Sequence, residues 1–270
     1  GGGEAGRKFI ENLNSAFYLS ISSAWIFSEN IIESLFYNRL INVHGTRLPQ
    51  NRGGGSYSWR ILMGSRLGFS QLHMVNSGID TGDLVATEEY LYPPYCRRPI
   101  DFENFSVEKD KKFIIDFIRK LKSQAKEITL KSQSNYFSSY WPRLNTSLHG
   151  WINWNEKIIS LERFICAFDE PFEGAKTTLN RKNVSLKDVS ADFSDQGFHP
   201  FQSGIIYRTN TKWLSVSSNG GTLIIQKVLD KDGNNILKHI KEGYRFVTPP
   251  EKLSSRYTRC IYTPEGIKVV

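Results

Sequence analysis

Near residue 130 the pattern of this chain changes from alternating strands and helices to short strands punctuated by turns, and that switch limits what it can fold into. Before it, residues 17–21 and 40–44, then "FSQLHMV" and "LVATEEYL", read as strands. Between them lie a helix opening at Ser28 as its N-cap and a second helix in "SWRILMG". A third follows over residues 111–122, with Phe113, Ile114, Phe117, Ile118 and Leu121 on one face. A short helix is also expected over residues 8–14, and "YPPYCRRPIDFE" reads as an extended, proline-broken loop. This alternation predicts an open α/β sheet, part of a doubly wound, Rossmann-like arrangement. After a polar linker over 131–155 and a helix from about residue 156 to 168, the segments "NVSLKDV", "GIIYRT", "KWLSVSS" and "GTLIIQKVL" are separated by Asn-Gly, Gly-Gly and Asp-Gly turns. They predict a small β-barrel domain. The expected organisation is a first domain over 1–130, the linker, a β domain over 156–250 and a tail over 251–270.

The formal charge of +8 favours anionic partners, although its lysines and arginines are spread along the chain rather than clustered. No apolar run is long enough for a membrane span, and the glycine-rich start lacks the basic-then-apolar order of a signal peptide. Cys96, Cys166 and Cys260 are far apart, which argues against a zinc site or a disulfide framework and suits a reducing cytoplasm. Without a Walker motif or a Gly-x-Gly-x-x-Gly turn, a glycine-rich phosphate loop is not supported.

The densest polar stretch is "NVHGTRLPQNRGGG", residues 42–55. Asn42 and His44 stand two apart at the end of a strand, so both side chains project to the same face. That places them in the crevice at the carboxyl edge of the sheet, and Asp80, in "GIDTGD", closes another turn that can reach it. An amide to hold a developing oxyanion, an imidazole to move a proton near neutral pH and a carboxylate to orient that imidazole suit acyl transfer. Taken alone the spacing is weak, because Asn-x-His is common and a histidine is often structural.

At these residues the sequence resembles the folate-dependent formyltransferases, which include methionyl-tRNA formyltransferase and the N-formyltransferases of nucleotide-linked amino sugars. The resemblance rests on Asn42 and His44, Leu48 and Pro49, Arg52 and Gly53, and Asp80 and Gly82, in the family's order and spacing. It continues through "PRLNTSLHGWINW", "LERFICAFDEPFEGAKT" and "VSLKDV". It implies Asn42, His44 and Asp80 as catalytic residues, 10-formyltetrahydrofolate as donor and no metal. It also implies a pterin pocket walled by Ala24, Trp25, Ile26 and Phe27 and by the loop that carries Val75 and Gly78. Core packing is the plain alternative for Trp25 and Phe27. Two departures stand out. Asn42 arrives several tens of residues earlier than in the family, so the first strands of the sheet are expected to be missing. The family's Ser-Leu-Leu-Pro and Arg-Gly-Ala-Ala-Pro become Thr46-Arg47-Leu48-Pro49 and Arg52-Gly53-Gly54-Gly55. That points to an altered acceptor pocket in which Arg47, Arg52 and Gly53 bind substrate, with arginine suited to phosphate or carboxylate.

The implied partner is a small amine, an anionic nucleotide-linked amino sugar, with tRNA as the rival, no membrane and a homodimer left open. A truncated folate- or nucleotide-binding protein, and hydrolysis of the formyl carrier by water, are the competing classes. His73 reads as buried behind the site, Asp83 as the rival to Asp80, His199 as structural, and His149 and His239 as exposed. Cys96, beside two arginines, is expected to be a free thiol.

Overall fold

A computed structural model describes residues 8, 10–11, 13, 15–23, 25–124, 128–195 and 197–270. The expected helix over 8–14 lies partly outside them. The first sheet has the order β1 (Tyr18–Ile21), β2 (Leu40–His44), β4 (Leu67–Met74), β5 (Leu84–Leu91). Only β1 and β2 run parallel; β2–β4 and β4–β5 are antiparallel pairs. The sheet is therefore mixed, where alternating strands and helices had predicted parallel pairing. The reason is local: the turn after Met74 is too short for a crossover, so β5 returns directly beside β4.

Strand alternation divides the sheet's two faces. Ile41 packs with Leu72 and with Phe113 of a long helix, while Leu40 packs with Leu35, Phe36, Phe27 and Val75 on the other side. Asn42 and His44 share the parity of Leu40 and so face away from that long helix. A short helix, α1 (Glu29–Ser34), covers the Leu40 face; Ser28 sits at its N-cap, but its side chain makes no capping bond. The next helix, α2 (Ser56–Met63), is followed by the long one, α3 (Pro99–Gln124). The latter starts twelve residues before the apolar face read from the sequence, because Pro99 fits a first-turn position where no N–H partner is needed. A second sheet has six strands, ordered β12 (Phe246–Val247), β7 (Ala175–Leu179), β8 (Lys182–Asp192), β11 (Gly221–Leu229), β10 (Leu214–Ser218), β9 (Ile206–Thr209). All its pairs are antiparallel, and it curls until Ile206 N–H bonds Tyr244 O (2.8 Å) and Phe246 N–H bonds Gly204 O (2.9 Å), tying its two ends together.

One buried cluster spans both halves: Ile61, Tyr92 and Phe102 join Ile152, Phe164 and Leu186. Helix Ile158–Ala167 bridges them by packing on α2 and on β8. The tail expected after residue 250 is instead ordered against this body as a hairpin, β13 (Cys260–Thr263) with β14 (Gly266–Val269). Ile26 N–H donates to Thr263 O at 3.3 Å, which brings the hairpin beside the loop after β1.

Candidate active site

The end of β2 places Asn42 opposite His73 and His44 opposite Gln71 on β4. Cross-strand neighbours touch, and Asn42 Nδ2 lies 3.2 Å from His73 Nε2. His73 Nδ1 is 2.8 Å from Met74 O and donates to it. Asp80 returns from the turn after β4 in a left-handed conformation (φ +53°) that few non-glycine residues adopt. Its Oδ1 lies 3.7 Å from His44 Nδ1 and 3.5 Å from His73 Nε2, and its Oδ2 accepts the Gly53 N–H at 2.9 Å. Gln133 fixes the turn from behind, donating to Asp80 O (3.0 Å) and Gly82 O (2.6 Å). Gly82 is required there, since a Cβ would stand 1.8 Å from Met74 O.

The loop after β2 holds the other side of the imidazole. His44 Nε2 is 3.0 Å from Asn51 O and 2.6 Å from Thr46 Oγ1. The loop itself is pinned by Leu48 N–H donating to the Gln71 amide oxygen at 2.7 Å. With Nε2–H donated to Asn51 O, Nδ1 carries the lone pair on the side of Asp80. Burial pushes the His44 imidazole below its usual value, outweighing the opposing pull of Asp80. Burial alone would raise Asp80, but His44 and His73, when they carry protons toward it, and the Gly53 N–H hold its carboxyl well below the usual range. The cluster therefore rests as a carboxylate beside a neutral base, ready to become an ion pair once the base takes a proton. His44, His73 and Asp80 each offer one ligand atom within 4.8 Å of the others, a spacing that also suits a metal ion.

This cluster lies in a cleft of about 530 Å³, a volume ample for a small molecule. Trp25, Ile26, Phe27, Val75 and Gly78 all line it, as expected; Ala24 lies outside the described residues. Trp25 is 48% exposed, so core packing does not account for it. Gly53 lines the cleft, but Arg47 and Arg52 do not; both line a second cavity on the far side of the 53–56 turn. The reason is that Arg52 turns inward and spends its donors on Gln133 Oε1 (3.1 and 3.0 Å) and Asn135 Oδ1 (3.4 Å). Asp83 is not among the lining residues; it serves through its backbone carbonyl, which accepts Met74 N–H at 2.8 Å.

Sequence reading missed two contributors. Tyr262, on the C-terminal hairpin, and Arg143 both line the cleft, with Arg143 Nη1 3.2 Å from the Tyr262 hydroxyl. His73, read as buried behind the site, is buried and touches both Asn42 and Asp80. One expectation fails. His149 is buried, not exposed, held between Asn145 N–H (2.7 Å) and Thr258 O (2.7 Å). Cys96 is a free thiol, as expected, and burial and Asp101 raise it. His199 is structural as expected, capping a short turn by accepting Phe201 N–H at 3.2 Å.

Residues 146–240 match the family described as "Formyl transferase, C-terminal domain". A methionyl-tRNA formyltransferase of Rickettsia bellii is 26% identical over 91% of this chain and 76% of its own length. An N-formyltransferase of Helicobacter canadensis, solved with folinic acid and dTDP-3-aminofucose, is similar in structure with a TM-score of 0.61 and 18% identity, over 82% of this chain and 77% of that one. The methionyl-tRNA formyltransferase of Clostridium thermocellum superposes with a TM-score of 0.55 at 18% identity, covering 70% and 78%. Among the described residues no helix is long and apolar enough to cross a membrane.

Proposed function

We propose that the chain is a folate-dependent formyltransferase whose cleft transfers a formyl group from 10-formyltetrahydrofolate to the amine of a nucleotide-linked amino sugar. The observation that carries this reading is the convergence of Asn42, His44 and Asp80 in one cleft, with Asp80 Oδ1 3.7 Å from His44 Nδ1. The fold it assumes is a doubly wound sheet, of which β1, β2, β4 and β5 form part, joined to a small barrel.

The donor supplies an activated formyl carbon for the amine to attack. Trp25, Phe27 and the backbone of 75–78 line the part of the cleft that suits a flat pterin. Asn42 Nδ2–H turns from His73 to the oxygen where negative charge develops, a contribution worth about 10²–10³ in rate. Neutral His44 accepts the amine's proton on Nδ1, and Asp80 stabilises the resulting imidazolium; the C–N10 bond then breaks and the proton goes to the departing tetrahydrofolate nitrogen. The Asn51 carbonyl and Thr46 keep the ring in position meanwhile. His73 keeps Asn42 and Asp80 aligned.

The cleft supports a small acceptor, because the C-terminal hairpin sets Tyr262 over its wall and Arg143 offers a cation for phosphate. tRNA is the second reading, favoured by the +8 charge and by the relatives named methionyl-tRNA formyltransferase. The test is formylation of dTDP- and UDP-linked amino sugars against methionyl-tRNA, each with 10-formyltetrahydrofolate, read by mass. Transfer to a sugar nucleotide alone supports the first reading. Transfer to tRNA alone overturns it in favour of the second.

A further inference from the structure

The second cavity, of about 240 Å³, is lined by three arginines, Arg47, Arg52 and Arg60, and by no carboxylate. Arginine ion pairs among the described residues are made elsewhere, by Arg97, Arg98, Arg119 and Arg256. Arg52 is occupied by Gln133 and Asn135, as above. Arg60 is different. It is only 5% exposed, donates from Nη2 to Gly45 O at 3.0 Å and lies over the Tyr92 ring at 5.2 Å. Its Nε has no partner. The other buried side-chain polar atom without one among the described residues is Gln50 Oε1, and Gln50 lines the same cavity. Arg47 stands exposed at the rim, its guanidinium 6.0 Å from the Phe69 ring.

A guanidinium taken out of water without a counter-charge is costly, and a Tyr face offsets only part of that. Structural arginines at such depth normally meet a carboxylate. Here the two residues that hold the orphaned donor and the orphaned acceptor, Arg60 and Gln50, both line the cavity, with Trp59, Phe69 and Trp141 as apolar walls.

We propose that this cavity binds a small organic anion whose phosphate or carboxylate rests on Arg60, with Arg47 closing over it. A hydroxyl on the same ligand donates to Gln50 Oε1, and its ring lies against the aromatic walls. The site is separate from the formyl-transfer cleft, sharing with it only the 53–56 turn, and does not depend on the reading of that cleft.

The test uses the full chain, calorimetry and thermal unfolding, with inorganic phosphate, adenosine monophosphate and 4-hydroxybenzoate as probes. The two ring-bearing probes distinguish a phosphate from a carboxylate source. At least one of them is expected to raise Tm by a few degrees at saturation, more than inorganic phosphate does. Arg60→Met is expected to abolish that shift while unfolding, without ligand, at the same or a higher temperature than the parent. Arg47→Ala, at the exposed rim, weakens binding about tenfold. Three results overturn the proposal. One is that none of the probes binds. Another is binding that survives in Arg60→Met, which places the ligand in the main cleft. The last is a large fall in the ligand-free Tm of Arg60→Met, which makes Arg60 a packing residue for Tyr92.

Discussion

The backbone N–H of Gly53 donates to Asp80 Oδ2 at 2.9 Å, so the glycine turn that walls the cleft also aims its acid. Gly53 adopts φ +101°, and a Cβ there would stand 2.2 Å from Trp141 O. Gly53→Ala is expected to cost about 1–3 kcal/mol in stability from backbone strain and displacement of the Tyr140–Trp141 pairing. It should also lower kcat, because Asp80 loses its tether. Urea unfolding combined with turnover checks both, and a variant that is weakened in stability yet unaltered in kcat would separate the two roles.

The resting charge of the site gives a pH profile with a definite sign. His44 must be neutral to accept a proton, and burial holds its pKa below the ordinary 6.5. The acid limb of kcat/KM is therefore expected below pH 6.5, with rate rising as His44 deprotonates and a plateau above. Removing the Asp80 charge takes away the interaction that raises His44, so Asp80→Asn should shift the limb to still lower pH and reduce the rate about 10²–10⁴-fold. A limb that moves upward in this variant contradicts the assignment.

Much of this site was legible because it is compact in sequence. Asn42 and His44 are two apart on a strand, and Asp80 lies in the turn that ends the neighbouring strand, so strand parity and a turn suffice to bring them together. What could not be read is what arrives from far along the chain or depends on which way a loop turns. Tyr262 lies more than two hundred residues from Asn42 and reaches the cleft only because the last hairpin folds back. Arg52 looked like an anion ligand, yet pairing of the 52–53 segment with Tyr140–Trp141 turns it toward Gln133. The antiparallel β4 and β5 were hidden because apolar runs give no strand direction.

Tyr262→Phe removes one hydroxyl that Arg143 contacts at 3.2 Å and leaves the ring over the cleft. A net hydrogen bond of this kind is worth about 0.5–1.5 kcal/mol. The acceptor KM should therefore rise about 2- to 10-fold, with kcat and the folate KM nearly constant. A fall in kcat alone would show that Tyr262 acts on the chemistry instead.

The ligand atoms of His44, His73 and Asp80 are close enough to chelate. Added Zn²⁺ is expected to inhibit by occupying His44, and EDTA to restore full rate. Loss of activity on EDTA alone would reassign the cluster as a metal centre.

If His44 moves the proton in formyl transfer, its loss spares binding and slows chemistry. His44→Asn is to be set beside the parent chain, recording 10-formyltetrahydrofolate binding and single-turnover formylation of the acceptor together. Folate affinity is expected within a few-fold of the parent, with a transfer rate lower by about 10²–10⁴. Transfer at near-parental rate by a folded His44→Asn protein would contradict that role.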